Sequence, residues 1–343
     1  VRGNRADEIL LLCTPSFRLV VVTSVEQIPP RTLPPLTSRT PVDRVPAPLL
    51  VLGAMVSIHL GAAVAKQLFA LAGADVVACL RIVVAGVIAL LLWRPALRVR
   101  RRALPGIAGL GISIAAMNLS FYAAIERIPL GVAVTIEFLG PLTVALLGSR
   151  KIRDALFALL AGGGVLLLMD SGGKMSWTGV LFALLAGAGW GAYIACGAVV
   201  GQHTAGHDGL ALAMAFGGVL VLPFLVAQGG SALLNPILLA GVAVVAVCSS
   251  LVPHAVELTV LRRIEASVFG VWMSLQPAVA AVAGLVLLGE GLHAAQWAGV
   301  ATVVAAAAGS AYFAADRRRG DVAIEAGHTM ADSAPRDLTA AAR

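Results

Sequence analysis

The sequence predicts an all-α membrane protein: ten transmembrane helices in two inverted five-helix repeats around a central cavity. Three observations predict it. Apolar runs recur at bilayer-spanning length, one segment occurs twice, and basic residues cluster in alternate gaps. The 343-residue chain is 59% hydrophobic and only 13% charged, with mean hydropathy +0.92. Soluble domains carry about 25% charged residues. The charges here sit mostly in the tails and in short gaps between apolar runs, so the net charge of +7 needs no nucleic acid to account for it.

Residues 1–47 differ in character from the rest of the chain. They hold six arginines and seven prolines, and the apolar patch from Ile9 to Val25 is interrupted by Pro15 and Arg18. Such a patch is a poor leader and too broken to span a membrane. The expectation for 1–47 is a disordered cytoplasmic extension. From Pro48 onward, runs of about 18–25 apolar residues match the length that crosses roughly 30 Å of hydrocarbon. Ten are counted, at about 49–71, 75–94, 103–125, 130–149, 152–170, 177–199, 209–227, 236–259, 266–288 and 293–315. They divide into a first repeat, 48–171, and a second, 172–315; the polar, alanine-rich residues 316–343 read as a disordered cytoplasmic tail.

Basic residues set the orientation. Arg94, Arg98, Arg100, Arg101, Arg102, Arg150, Lys151, Arg153, Arg262, Arg263 and Arg317 to Arg319 fall on one side; Arg127 and Lys174 fall on the other. Cytoplasmic gaps carry the excess of Lys and Arg, so both termini of a multi-pass chain are expected in the cytoplasm. The duplicated segment runs from Arg127-Ile128-Pro129 to Pro141 and Gly148, and again, 136 residues on, from Arg263-Ile264-Glu265 to Pro277 and Gly284. The offset crosses five runs. Five is odd, so the second copy must enter the membrane from the opposite side.

Each copy places a proline mid-run. Proline has no N–H and frees the carbonyl four residues earlier, that of Glu137 for Pro141 and that of Met273 for Pro277. Pro253 and Pro223 do the same to Ser249 and Val219. In hydrocarbon a freed carbonyl needs a partner or a water-lined cavity. Pro141 and Pro277 are therefore hinge candidates at a cavity between the repeats; for Pro223 a kink that merely shapes the bundle is the simpler reading. Broken helices in duplicated halves are what a secondary transporter looks like in sequence.

Ionisable groups at membrane depth cost about 2.5–3.5 kcal/mol or more on insertion, so each is a functional candidate. Glu137 lies roughly 12 Å into its run at 1.5 Å per residue, where it could exchange protons, contact substrate or pair with Arg81. Arg81 could instead grip a substrate carboxylate bidentately or reach the outer surface. Glu257 lies near Arg262 and Arg263, as a coupling group or an interfacial pair. Lys66, nearest the outer end, is expected to snorkel. His59 could join a proton relay. Asn118 and His254, 136 residues apart, occupy matched repeat positions and suit a cavity wall or interhelical hydrogen bonds. Trp190 and Tyr193 sit too deep for an aromatic belt; they either pack among Gly187, Gly189 and Gly191 or line a path. Tyr122 and Gln276 complete the set.

Several chemistries find no support. Cys13, Cys79, Cys196 and Cys248 show no metal-ligand spacing, so no metal is expected. No GxxxxGK[ST] loop appears, so neither ATP nor another cofactor is implied. Ser250 and His254, four residues apart, could form a nucleophile and base, but no GxSxG elbow or HExxH accompanies them, and no catalytic residue is assigned. The expected partners are a small-molecule substrate, protons and the lipid bilayer.

These residues carry a family resemblance. The stretches Ile58–Lys66, Arg127–Ala145, Gly187–Tyr193, Pro253–Arg262 and Phe269–Glu290 resemble the drug/metabolite transporter superfamily with two EamA-type repeats, and within it the bacterial exporters of threonine and homoserine. The resemblance covers about 49–315. It implies ten helices, a cavity between inverted repeats, and proton-driven efflux of small amino acids by alternating access across the bacterial inner membrane. Export of a drug or another metabolite is the alternative. Glu137 and Glu257 fall where that pattern also has glutamates. Where the pattern reads Met-Glu-Pro, this chain has Leu275-Gln276-Pro277, which implies a different substrate or stoichiometry if that glutamate takes part in coupling. The extension of 47 residues has no counterpart in the pattern.

Overall fold

The computed structural model describes residues 45–95, 99, 101–147, 152–169, 176–204, 207–253, 256, 260, 263–264 and 266–332. Among them the secondary structure is helical throughout, with no strand. The helices are α1 (Ala47–Trp93), α2 (Leu104–Arg127), α3 (Leu130–Glu137), α4 (Leu139–Leu147), α5 (Ile152–Met169), α6 (Trp177–His203), α7 (Asp208–Gly229), α8 (Pro236–Ala246), α9 (Ala266–Met273), α10 (Gln276–Leu288) and α11 (Ala294–Asp332). A π-helical stretch, Val247–Leu251, continues α8 just ahead of Pro253, where the proline interrupts the regular ladder. Start signals are local. Ser176 accepts from the Gly179 amide at the head of α6, and Asn235 accepts from Ile237 and Leu238 at the head of α8.

Among the described residues seven helices are long and apolar enough to cross a membrane, where the sequence predicts ten spans. Part of the difference is fusion. The first two runs form the single 47-residue α1, interrupted only at Gly73, whose φ of 77° is left-handed and open to glycine at little cost. Of the eighth run, the described residues up to the π turn make a short apolar helix. The fifth, α5, spends its first turn on Arg153 and Asp154. At the C-terminus α11 continues to Asp332, where the sequence predicts a disordered tail from 316. That stretch is rich in alanine, with no proline before Pro335, and alanine, arginine and glutamate are strong helix formers.

The outside of the bundle is apolar. Leu91, Leu159, Leu166 and Val286 are each at least 70% exposed, a surface suited to lipid rather than water. Inside, α2 packs along α6 and α7, α1 along α7 and α8, and α5 along α11. A buried core closes one end of the bundle, where Ile125, Leu130, Val132 and Ile136 meet Ala183, Ala280, Ala281 and Val300. A second cluster joins Val51 and Met55 of α1 to Trp272, Met273 and Val279.

Both duplicated runs are broken. Helix α3 stops at Glu137 and α4 begins at Leu139; α9 stops at Met273, 136 residues after Glu137, and α10 begins at Gln276. The carbonyl that Pro141 frees is covered by protein. A Cβ added to Gly187 would stand 2.7 Å from the Glu137 carbonyl oxygen, so the bare Gly187 backbone lies directly against it. Such a Cα–H···O contact gives the orphan carbonyl a weak partner. Gly140, one turn on, faces the same residue, and any Cβ there would lie inside van der Waals contact with the Gly187 carbonyl group.

Candidate functional site

A cavity of about 540 Å³ opens between α1, α2, the break of α3 and α4, α6, α7, the π stretch after α8, the break of α9 and α10, and α11. Helix breaks build two of its walls, because side chains at an interrupted ladder can point into space that a continuous helix would fill. Glu137, the last residue of α3, projects into this space at 8% exposure. Among the described residues no hydrogen bond or ion pair engages its carboxylate.

Arg81 faces the same space and is not paired with Glu137 in any described salt bridge. It donates to Asn118 Oδ1 instead, and its guanidinium lies 5.5 Å from the centre of the Tyr122 ring. Asn118 in turn donates to the Ile114 carbonyl at 2.8 Å, which fixes its amide and presents its oxygen to the arginine. Tyr122 is 1% exposed. The group is a guanidinium steadied by a neutral amide and an aromatic face; no described carboxylate lies within ion-pair distance of it, and Glu137 acts on it only across the cavity.

The structure brings eight of the sequence-selected residues to this one cavity: His59, Arg81, Asn118, Tyr122, Glu137, Trp190, Tyr193 and Gln276. Of the hinge candidates, Pro141 lines it, while Pro277 is buried in the first turn of α10. Glu257 and His254 lie outside the described residues. Trp190 lines the cavity and packs edge-on against Phe138 with ring centres 5.7 Å apart. Sequence reasoning missed Phe121, Phe138 and Phe269, which add aromatic surface to the same walls, and the serines Ser249, Ser274 and Ser310. Apolar residues in apolar runs carry no signal of which way they face. Ser249 and Ser274 could have been found from their positions beside the helix-breaking prolines.

Lys66, expected to reach the outer surface, is held by an ion pair. Its Nζ lies 2.5 Å from Glu290 Oε1 and donates also to the Ile128 carbonyl at 3.3 Å. The other Glu290 oxygen accepts from the Leu130 amide at 2.6 Å, at the start of α3. Pro129, which precedes that helix, offers no side-chain cap, so Glu290 from the far end of the chain supplies the negative charge a helix N-terminus favours. This clasp ties α1, α3 and the end of α10 together beside the closed core. We expect Glu290→Ala to cost about 2 kcal/mol, as hydrogen bonds to charged groups do. A double-mutant cycle with Lys66→Met, read by thermal unfolding in detergent, should show strong coupling; strictly additive losses would refute the clasp.

A multi-helix membrane bundle whose largely apolar cavity holds a few ionisable and amide groups at two helix breaks is the architecture of a membrane transporter. Comparison with known proteins agrees. The model of the EamA-like transporter family matches residues 177–312. The Threonine/homoserine exporter RhtA of Salmonella typhimurium is 38% identical over 267 residues, covering 76% of this chain and 90% of the relative. Its counterpart in Escherichia coli is 36% identical over the same length and shares. The chain belongs to the EamA-like transporter family. It is a multi-pass membrane transporter, not an enzyme.

Proposed function

We propose that this protein exports small amino acids of the threonine and homoserine type across a bacterial inner membrane, driven by the inward flow of protons. The observation that carries the reading is one free carboxylate and one guanidinium facing a single membrane cavity. A zwitterion has an amine for Glu137 and a carboxylate for Arg81. The curated relatives are named for export of threonine and homoserine, which supports the same substrate class.

Alternating access supplies the mechanism. Ten spans in two inverted repeats, with both termini cytoplasmic, would place the closed core and the Lys66–Glu290 clasp on the outer side. Several facts support this frame. Helix α1 would be about 70 Å long if straight, at 1.5 Å per residue, over twice the roughly 30 Å of hydrocarbon, so Gly73 is where two spans meet. The two broken runs end at residues 136 apart, matching the sequence offset. The cavity is lined by Phe269 and Ser310, from run ends that the arginine distribution assigns to the cytoplasm, and by Leu210, whose run end falls on the same side by alternation of the ten spans. The form is one open inward and sealed outward, ready to receive substrate from the cell.

The test uses the purified protein in liposomes loaded with labelled threonine. Acidifying the outside should accelerate release, and a protonophore should remove the acceleration. Threonine release no faster than from protein-free liposomes would overturn the proposal. A second reading rests on the aromatic walls. Phe121, Tyr122, Phe138, Trp190, Tyr193 and Phe269 all border the cavity, which would suit a larger metabolite or drug. Strong inhibition of threonine release by an aromatic cation, with weak inhibition by homoserine, would favour it.

A further inference from the structure

One wall of the cavity holds buried polar side-chain atoms that have no well-formed hydrogen bond among the described residues. His59 is 1% exposed, and neither ring nitrogen has a hydrogen bond of good geometry among the described residues. Gln276 is 6% exposed and its Oε1 likewise lacks a partner. Both side chains line the cavity, and the Gln276 backbone faces His59. The neighbouring serines are already engaged: Ser249 donates to the Ile58 carbonyl at 3.4 Å and Ser274 to the Val271 carbonyl at 2.6 Å. They do not relieve the pair.

Leaving a buried polar atom unsatisfied costs about 1–3 kcal/mol, so two such groups side by side in a cavity call for a ligand. Their chemistry states what kind. A neutral imidazole carries one donor and one acceptor, and the Gln276 oxygen accepts. A hydroxyl both donates and accepts. An ammonium offers no acceptor, and a methyl group offers neither. The charged ends of a zwitterion are already accounted for by Glu137 and Arg81, elsewhere on the cavity surface.

We infer that His59 and Gln276 form the subsite that reads a hydroxyl on the substrate side chain, and so determine which small amino acids are carried. This inference rests on the amino-acid export reading. The hydroxyl donates to Gln276 Oε1 and accepts from the protonated nitrogen of His59. An isostere with methyl in place of hydroxyl leaves both protein groups buried and unpaired, and sites built around a substrate hydroxyl discriminate strongly against such analogues.

Threonine and valine differ by that single exchange, and homoserine and norvaline by the same one. In proteoliposomes the wild-type protein should carry threonine and homoserine at least tenfold faster than valine and norvaline at equal low concentrations. Gln276→Leu should bring the threonine-to-valine ratio to within about threefold of one, and His59→Phe should move it the same way. Monodispersity in detergent establishes that each variant is folded. Equal wild-type rates for hydroxylated and methylated partners overturn the inference without any variant. So does a ratio that Gln276→Leu leaves intact. Carriage of threonine and valine alike, with alanine also moved, sinks the subsite and leaves amino-acid export standing. Failure to move any amino acid overturns both.

Discussion

Glu137→Gln should lower proton-driven efflux by at least about 100-fold while the protein inserts and folds normally. The expectation rests on geometry. Glu137 ends α3 at the break, faces the cavity, and has no ion-pair partner among the described residues. A group that carries a proton must be able to gain and lose it, and glutamine can do neither while keeping shape and hydrogen-bonding reach. If Glu137 also holds the substrate amine, binding and coupling use one carboxylate in turn, so a proton arriving from outside expels the amine. The measurement is threonine release from liposomes under an imposed pH gradient, beside exchange of internal for external threonine with no gradient. Wild-type release by the variant would remove Glu137 from the mechanism. Loss of coupled release with exchange retained would assign it to the proton alone.

The second large effect is structural. Gly140→Val should deplete folded protein and lower the midpoint of thermal unfolding by about 10 °C or more. Overpacking a well-filled interior ordinarily costs about 1–3 kcal/mol because side chains must leave their rotamers. At Gly140 the obstacle is the Gly187 carbonyl group, which is backbone and has no rotamer to change. Two helices would have to separate, and with them the cover over the Glu137 carbonyl. Fluorescence-detected size exclusion and a thermal shift in detergent measure the outcome. Gly162→Ala is the control, since nothing lies within 4 Å of a Cβ there. A Gly140→Val protein as stable as the control would show that the crossing is looser than its geometry states.

Much of this was legible in the sequence because the membrane restricts what a chain can do. Apolar runs announced helices, and prolines at matched positions announced the breaks at Glu137 and Met273. Ionisable and amide side chains in those runs are costly against lipid, so their convergence on one cavity is a result of the same physics. What stayed hidden depended on contacts between distant residues. The Lys66–Glu290 pair joins positions 224 apart, and nothing local to either residue names the other. Arg81 could have met Glu137 on sequence grounds; the structure gives it Asn118, a choice set by how α1 and α2 face one another. The phenylalanines that share the cavity with Glu137 look like any others in their runs.

The bare contact between Gly187 and the Glu137 carbonyl has a mechanical consequence. Gly187 touches α3 at the Glu137 carbonyl and α4 at Gly140, so α6 lies across the break and splints it. Trp190 stands on the same splint three residues beyond Gly187, with its ring against Phe138. A bend at Phe138 would have to part α6 from α3 or from α4, and either movement would carry the aromatic wall with it.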